Sequence, residues 1–291
     1  MKVAVTGAGG FVGRHVVAEL ERRGLGATLL ARRPPATGPV NGPANGPVNG
    51  PASAHRFVPF DLLEDPSGLY ERAGRPDVVL HLAWGGLPNY RSPHHVEQER
   101  PAHLRLLATL VREGLRHVVV AGTCFEYGMC SGALAETLAC TPITAYGQAK
   151  DALRRELELL RGVQPFELTW ARLFYLWGEG QAENSLWPSL RRAVARGDPG
   201  FPMSGGEQLR DYLPVRVAAA HLVELALGGR GHGVVNVCDG KPTSVRSLVE
   251  GWIREQGWSI EPELGRFPYP EHEPMAFWGD ATKLRACLQS T

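Results

Sequence analysis

The stretch "VAVTGAGGFVGRHVVAEL", residues 3–20, decides the fold class of this chain. An apolar run of strand length leads into Gly7, Gly10 and Gly13, and an amphipathic segment of helical spacing follows. Glycines allow a tight turn here and let backbone N–H groups approach a pyrophosphate, whose charge then lies at the positive end of the helix dipole. Because the glycines stand between a strand and a helix, the spacing predicts a dinucleotide-binding site rather than a plain glycine turn.

Outward from this stretch, short apolar runs alternate with segments of helical spacing. The runs "ATLL", "HRFVPF", "DVVLHLA" and "RHVVVAG" have strand length, and "HLRLLATLVREG" and "DALRRELELLRG" carry leucines on one helical face. This alternation predicts an α/β fold, a doubly wound parallel Rossmann sheet flanked by helices. The leucine stripes near residues 104 and 153 either pack on the sheet or pair with a second subunit, so a homodimer stays an open alternative to core packing.

The chain divides into two parts at about Pro165, where consecutive strand–helix units become rarer. We predict an NADP-binding Rossmann domain over residues 1–164 and a smaller C-terminal α/β substrate-binding lobe over residues 165–291, some segments of which return to the first domain. Residues 34–54 read "PPATGPVNGPANGPVNGPASA" and offer almost nothing to bury. Proline removes donors and glycine raises the entropy cost of ordering, so this segment is predicted to be a mobile spacer loop.

Composition excludes several classes of function. The 291 residues carry a formal net charge of +1 with acids and bases interspersed, which does not suggest a nucleic-acid partner. No stretch approaches the roughly 18 apolar residues of a membrane span, and the N-terminal apolar run is too short for a signal peptide. The five cysteines form no CxxC pair, which is typical of reduced thiols in a cytosol, so a cytoplasmic location is expected. Cys130 and Cys140 lack a nearby second ligand pair, so no metal is expected.

The end of the second strand, "LLARRP", bears on which dinucleotide binds. NAD sites usually present a carboxylate at this point to the ribose hydroxyls, whereas this chain offers Arg32 and Arg33. Two guanidinium groups suit the 2′-phosphate of NADP, although they could equally be solvated surface charges. Asp61 and Leu62, after the third strand, are expected to meet the adenine ring. We therefore predict that NADPH is preferred over NADH.

The motif "AYGQAK" brings a phenol and an ammonium together. Tyr146 and Lys150 are four residues apart, so on a helix they share a face. A nearby cation favours phenolate and lowers a tyrosine pKa, which would make Tyr146 a usable general acid or base. Such a pair alone is often a surface pair, but together with the glycine loop and a hydroxyl at a strand end it becomes specific.

The motifs "TGAGGFVG", "FDL", "HLAW", "GTCFEYG", "AYGQAK", "ARLFYLWGEGQ" and "LRDYLPV" resemble those of the extended short-chain dehydrogenase/reductases of the epimerase/dehydratase type, which act on nucleotide-linked sugars. The resemblance covers nearly the whole chain. It implies that Tyr146, Lys150 and Thr123 are catalytic, with Lys150 also holding the nicotinamide ribose. The cofactor-binding positions that it implies are Gly7, Gly10, Phe11, Val12, Gly13, Arg32, Arg33, Asp61, Leu62, Leu82, Ala83, Trp84, Tyr146, Lys150, Leu173 and Phe174.

The same resemblance implies a set of substrate-binding positions, namely Asn89, Thr123, Cys124, Glu126, Tyr175 and Arg210. Arg210 matches the arginine that holds the nucleotide diphosphate, with a structural ion pair to Asp211 or another acid as the alternative. Tyr175 stands where the family usually has an asparagine. Glu126 is either a substrate contact or the partner of a neighbouring backbone N–H. For Cys124 we favour a buried, inert thiol over a nucleophile.

The resemblance also limits the range of reactions that this chain is expected to catalyse. The 4,6-dehydratases carry Asp-Glu directly after the catalytic threonine, where this chain has Cys124 and Phe125, and the 3,5-epimerase-reductases carry a cysteine where it has Phe125. What remains is hydride transfer to a ketone, or 4-epimerisation with retained NAD. The strings "HLAWGGLPNY" and "GTCFEYGMCSGALAE" resemble bacterial reductases that convert dTDP-4-keto-6-deoxyglucose to dTDP-fucose, and their CDP-linked relatives. We therefore expect an NADPH-dependent 4-ketoreductase of deoxysugar biosynthesis acting on a dTDP-linked 4-keto-6-deoxysugar; a 4-epimerase and a non-catalytic NADP-binding regulator are the alternatives.

Overall fold

The computed structural model describes residues 1–34, 55–269 and 273–289. Residues 35–54, nearly all of the segment predicted as a mobile loop, lie outside the described residues. In the described part the strands are β1 (Val3–Thr6), β2 (Ala27–Ala31), β3 (Arg56–Pro59), β4 (Val78–His81), β5 (His117–Thr123), β6 (Gly132–Leu134), β7 (Glu167–Leu173), β8 (Tyr175–Trp177), β9 (Gly200–Pro202), β10 (Leu209–Arg210), β11 (Tyr212–Pro214), β12 (Gly233–Val237), β13 (Thr243–Ser244), β14 (Glu261–Glu263) and β15 (Phe277–Gly279). The α-helices there are α1 (Phe11–Arg22), α2 (Leu69–Arg72), α3 (Arg100–Arg112), α4 (Ala145–Val163), α5 (Leu186–Arg196), α6 (Val215–Leu227), α7 (Val245–Gln256) and α8 (Thr282–Gln289).

Seven strands form a parallel sheet with the spatial order β12-β7-β5-β4-β1-β2-β3, which confirms the predicted doubly wound fold. Strands β1, β4 and β5 are buried along their whole length, because helices cover both faces of the sheet. The strand order reverses between β1 and β4. At such a switch point a crevice opens at the carboxyl ends of the strands, where α/β sheets bind their ligands.

Two helical layers cover the sheet. On one face α1 packs against α6, and on the other α3 packs against α4. The predicted leucine stripes supply the second layer: Leu107, Leu153 and Leu157 are fully buried, while Leu104 and Leu160 are partly buried against the same core. The two stripes therefore serve the core of one chain.

The C-terminal part of the chain contributes to both the sheet and a smaller lobe. Strands β7 and β12 lie in the central sheet, whereas β9 pairs with β14 and β10 with β13 outside it. Between α5 and α7 lies a small core that contains a cluster of neighbouring indole rings, from Trp177, Trp187, Trp252 and Trp258.

None of the helices in the described ranges is long and apolar enough to cross a bilayer.

Candidate active site

The glycine loop joins β1 to α1 and lies against the end of β4. Gly7 has a φ of +72°, and a Cβ added there would come within 2.6 Å of the Ala83 nitrogen. A Cβ at Gly13 would come within 2.0 Å of the Gly7 carbonyl oxygen. Gly10 stands at the N-terminus of α1 with extended backbone and no side-chain cap, so the N–H groups of the first turn, including those of Phe11 and Val12, can meet an anion. This cradle fits a dinucleotide pyrophosphate.

The carboxyl ends of β2 and β3 bring the predicted adenosine-binding residues to the same edge. Arg32 and Arg33 follow β2 and are exposed. Asp61 follows β3, and its Oδ1 accepts a hydrogen bond from the Leu63 N–H at 3.0 Å, which leaves the second carboxylate oxygen for a ligand. Leu62 is partly buried against the core beneath. The structure thus gathers these four side chains at one edge of the sheet.

The turn after β4 is fastened to the glycine loop. The Leu82 N–H donates to the Thr6 carbonyl at 3.2 Å, and the Ala83 N–H donates to the Thr6 hydroxyl at 3.4 Å. Trp84 follows, and its indole N–H donates to His95 Nδ1 at 3.1 Å. The residues of the "HLAW" motif therefore form the side of the pyrophosphate site that lies opposite α1.

Thr123, Tyr146 and Lys150 meet at the carboxyl end of β5. Thr123 is the last residue of that strand and caps the 3-10 turn Cys124–Tyr127, accepting from the Phe125 N–H at 3.3 Å. Tyr146 and Lys150 lie on the first turns of α4, which Thr144 caps by accepting from the Gly147 N–H. The Lys150 ammonium donates to the Ala121 carbonyl at 2.7 Å.

Burial controls the protonation of this group. Burial raises the pKa of Tyr146, while a hydrogen bond with the Thr123 hydroxyl acts in the opposite direction. Burial also lowers the pKa of Lys150 to about 7, although Glu126 and Glu99 stabilise its charge. The sequence-based expectation that Lys150 holds the pKa of Tyr146 down is therefore not met, because burial outweighs the cation 5.9 Å from the ring. A protonated Tyr146 can act as a general acid.

Glu126 belongs to the protein interior, which corrects its assignment as a substrate contact. It is fully buried and forms an ion pair with Arg172, from Oε2 to Nε at 2.7 Å. Its Oε1 accepts from the Thr123 N–H at 2.9 Å and from the Trp170 indole at 2.8 Å. Both carboxylate oxygens are thus used inside the chain, which is the backbone-partner alternative left open by the sequence. Its role is to fix the end of β5.

Two further residues of this region are Cys124, which is buried, and Cys140, which is partly buried. Cys124 is buried in an apolar cluster with Tyr127, and burial raises the pKa of its thiol, in agreement with the interpretation as an inert thiol. In the described part of the chain, Glu126, Cys140 and Asp151 form one group with the spacing of metal ligands. The guanidinium of Arg172 donates to Cys140 at 2.8 Å and also pairs with Glu126, while Asp151 pairs with Arg154, so each of the three already has a cationic partner.

The predicted diphosphate-binding arginine has an internal partner. Arg210 is buried and pairs with Glu273 at 2.9 Å, whereas Asp211 instead accepts from the backbone N–H groups of residues 239 and 240. Tyr175 lies beside it, with its ring centre 5.8 Å from the guanidinium carbon. The structure therefore contains the ion pair with another acid that the sequence left as the alternative. An anionic ligand at this place would have to share Arg210 with Glu273.

The remaining predicted residues lie around this centre. Leu173 ends β7 and is partly buried, and Phe174 is buried beside Tyr127. Asn89 is exposed, and its carbonyl accepts from His95 at 2.9 Å.

Sequence reasoning named Trp84 only as a cofactor contact and missed that aromatic rings enclose Tyr146, and it also missed the residues that connect the site to the helices. Trp84, Tyr90, His95 and Phe125 all have ring centres within 6.3 Å of the Tyr146 ring. A buried chain of hydrogen bonds runs from Thr6 through His81 and His103 to Glu99. The signal was in the sequence: His81 interrupts an otherwise apolar strand, and Glu99 and His103 stand four residues apart on a helix.

Comparison with known proteins gives consistent matches. A model described as the NAD dependent epimerase/dehydratase family matches residues 3–238. The dTDP-6-deoxy-L-talose 4-dehydrogenase (NAD(+)) of Aggregatibacter actinomycetemcomitans is 29% identical over 282 residues, 96% of this chain and 99% of that protein. The GDP-6-deoxy-D-mannose reductase of Pseudomonas aeruginosa is 28% identical over 265 residues, 86% of this chain and 78% of that protein. The solved structure of MoeE5 with UDP-glucuronic acid and NAD superposes with a TM-score of 0.79 at 26% identity, covering 99% of this chain and 93% of that one.

Proposed function

This chain belongs to the NAD dependent epimerase/dehydratase family, and we propose that it reduces the C4 ketone of a nucleotide-linked 4-keto-6-deoxyhexose with NADPH. Within the family it is an NAD(P)-dependent oxidoreductase of nucleotide sugars. The observation that carries the proposal is the meeting of Thr123, Tyr146 and Lys150 at the end of β5, in the crevice that the glycine loop also borders. The best candidate substrate is dTDP-4-keto-6-deoxyglucose, whose reduction gives dTDP-fucose.

The chain's own residues supply the proton chemistry. When bound, the dinucleotide provides a hydride for C4 of the sugar. Tyr146, which burial keeps protonated, donates its proton to the C4 oxygen. The Thr123 oxygen accepts from the Phe125 N–H, so its hydroxyl proton can be donated to the same C4 oxygen. A donor aimed at a developing oxyanion contributes about 3 kcal/mol in comparable sites.

The preference for NADPH rests on Arg32 and Arg33. Both are exposed at the carboxyl end of β2, where the adenosine ribose is expected to bind. These two positions carry arginines and not the carboxylate that is usual in NAD sites. The guanidinium fork can bind a 2′-phosphate through two parallel hydrogen bonds. Of the relatives, one is named for NAD(+) and the dTDP-6-deoxy-L-talose 4-dehydrogenase of Kitasatospora kifunensis for NAD(P)(+), so both cofactors belong in the test.

A 4-epimerase is the second candidate. The UDP-glucose-4-epimerase from Stenotrophomonas maltophila, solved with bound NAD, superposes with a TM-score of 0.82, but at 20% identity this similarity concerns the fold alone. Arg32 and Arg33 suit the 2′-phosphate of NADP, whereas a 4-epimerase of this type retains NAD, so these two arginines favour the reductase. The third candidate, a non-catalytic NADP-binding regulator, would have no need for the Thr123, Tyr146 and Lys150 arrangement.

The test is to supply purified protein with NADPH or NADH and dTDP-4-keto-6-deoxyglucose, and to identify the product by NMR. The reverse reaction is measured with dTDP-fucose and NAD⁺ or NADP⁺. Consumption of reduced cofactor with formation of a new C4 alcohol supports the proposal. Interconversion of two 4-hydroxy sugars with no net change in cofactor would make the chain an epimerase, and cofactor binding without turnover would revive the regulator.

A further inference from the structure

The indole of Trp84 lies directly against the ammonium of Lys150. The nitrogen is 3.9 Å from the centre of the ring, which is within the range of a strong cation–π contact. Lys150 is 2% exposed, so little water is available to stabilise its charge. In the described part of the chain its one direct hydrogen bond is to the Ala121 carbonyl. The face of Trp84 therefore adds to the stabilisation that Glu126, Glu99 and the Ala121 carbonyl give this ammonium.

Trp84 is itself held rigidly. Its ring stacks on that of His103 with a centre-to-centre distance of 4.4 Å and an interplanar angle of 2°. Its N–H donates to His95. The N–H of the next residue, Gly85, donates to Glu99 at 2.7 Å, and the same Glu99 oxygen accepts from His103 at 3.0 Å. One carboxylate thus fixes both the backbone beside Trp84 and the ring on which Trp84 stacks.

The chain of hydrogen bonds also sets the charge of His103. Although burial acts to raise the pKa of Glu99, hydrogen bonds from His103 and Gly85 lower it to about 2, so Glu99 is a carboxylate and accepts. Burial lowers the pKa of His103 to about 4, so its neutral ring donates through Nε2 and accepts at Nδ1. His81 then donates to that Nδ1 at 2.7 Å. Trp84 therefore stacks on a neutral ring, and the His103 imidazole does not repel the Lys150 ammonium as a second cation.

We propose that Trp84 is a positioning residue for Lys150, holding the ammonium over its indole face, and that Glu99 fixes this indole through His103 and Gly85. The contact does not depend on the proposed function, but its use in catalysis does. Through it, helix α3 and the turn after β4 hold the lysine that the reaction needs beside Tyr146. The charged and titratable groups around the ammonium are Glu126, Glu99, His81, His95, His103 and Tyr146.

The experiment is an NMR titration of the lysine side chains. The sequence has four lysines, Lys2, Lys150, Lys241 and Lys283, so protein labelled with ¹³C at the lysine ε-carbon gives four signals. The Lys150 signal is the one that the variant Lys150→Arg removes. Full-length wild type, Trp84→Leu and Trp84→Phe are titrated, with Trp258→Leu as a matched control from the indole cluster of the other lobe.

Removal of the indole face should lower the pKa of Lys150. We expect a fall of about one unit in Trp84→Leu, recovery of at least half of it in Trp84→Phe, and no change in Trp258→Leu. The ε-methylene protons should also lose the upfield ring-current shift that they have over Trp84. An unchanged or higher pKa of Lys150 in Trp84→Leu would overturn the proposal.

A second measurement covers the case in which Trp84→Leu does not fold. Fluorinated tryptophans weaken the negative face of the ring while keeping its shape, and they replace all seven tryptophans. The pKa of Lys150 should fall stepwise with the number of fluorines, whereas a flat series would contradict the proposal. Neither titration needs substrate or cofactor. A shifted pKa without turnover on any sugar would therefore refute the proposed function alone, and turnover without the shift would refute this inference alone.

Discussion

The Tyr146 hydroxyl is buried and held protonated, so it can deliver a proton at the site. The substitution Tyr146→Phe removes it and keeps the ring that packs against Trp84 and Tyr90. We expect kcat to fall by about 10²–10⁴-fold, with NADPH affinity unchanged, because the glycine loop is untouched. Steady-state kinetics and a fluorescence titration of NADPH measure the two quantities. A variant with near-normal turnover would mean that another group is the acid.

Arg32 and Arg33 carry the prediction on cofactor choice. Each guanidinium–phosphate hydrogen bond is charge-assisted and absent from an NADH complex. The double substitution to alanine should raise the Kd for NADPH by about tenfold or more, because one hydrogen bond to a charged group contributes about 1.5–3 kcal/mol. The Kd for NADH should stay nearly the same. Equal effects on the two cofactors would identify both arginines as solvated surface charges.

The Glu126–Arg172 ion pair carries a stability prediction. Both side chains are almost fully buried, so Glu126→Gln leaves an uncompensated guanidinium in the interior. We expect the free energy of unfolding to fall by about 3–5 kcal/mol, measured by urea denaturation. The matched control is Glu71→Gln, which breaks an exposed pair with Arg75 and should leave the denaturation midpoint unchanged. Similar midpoints for the two variants would contradict a structural role for Glu126.

At the scale of elements, the start of α1 depends on the close approach of a helix to a loop. In Gly13→Ala the new methyl group would lie 2.0 Å from the Gly7 carbonyl oxygen, so the loop must move. We expect the Kd for NADPH to rise by at least about tenfold, since the pyrophosphate relies on backbone N–H groups at this point. Gly162→Ala, in α4 with no atom within 4 Å of the added carbon, should bind NADPH normally and be slightly more stable. Calorimetry on both variants measures the Kd for NADPH and the thermal stability that are to be compared.

The central strands and helices could be predicted because their hydrophobic patterns extend over many consecutive residues. Apolar runs predicted strands β1 to β5 of the sheet, and leucine spacing predicted α3 and α4. The strand pairs of the smaller lobe are two or three residues long, as in β10 with β13, and their partners are distant in the chain. Such pairs leave no periodic pattern, so only the packed structure reveals them.

The site was predictable where its chemistry is local in sequence and not where it depends on register. Helical spacing placed Tyr146 and Lys150 on one face, and the glycine loop, the strand-end hydroxyl and the family resemblance made the pair a specific candidate. The partner of Glu126 does not, because it is the parallel register of β5 and β7 that sets Arg172 beside Gly122. The same holds for Arg210 and Glu273, which are 63 residues apart and meet only after the C-terminal segment has folded back.

At the scale of the whole molecule, buried neutral histidines make the fold sensitive to acid. Burial lowers the pKa of His117 to about 4, and within the described ranges neither of its ring nitrogens has a hydrogen-bond partner. In the unfolded chain the pKa of His117 is about 6.5. Between pH 6.5 and pH 4 the unfolded state therefore binds a proton that the folded state does not bind, and the free energy of unfolding falls as the pH drops toward 4. His117→Leu should lose about 2 kcal/mol less than wild type between pH 7 and pH 5. Urea denaturation at both pH values tests this, and identical losses would contradict it.

The order of strands across the sheet also bears on how the protein is made. Strand β12, which covers the outer side of β7, comes from Gly233–Val237, so most of the chain leaves the ribosome before the sheet can be completed. Until then β7 presents a row of unpaired backbone groups, and such an edge pairs readily with other chains. A nascent chain that stalls before residue 233 would therefore carry an open, apolar edge and become a target for chaperones or for aggregation, although every catalytic residue proposed for it had already been synthesised.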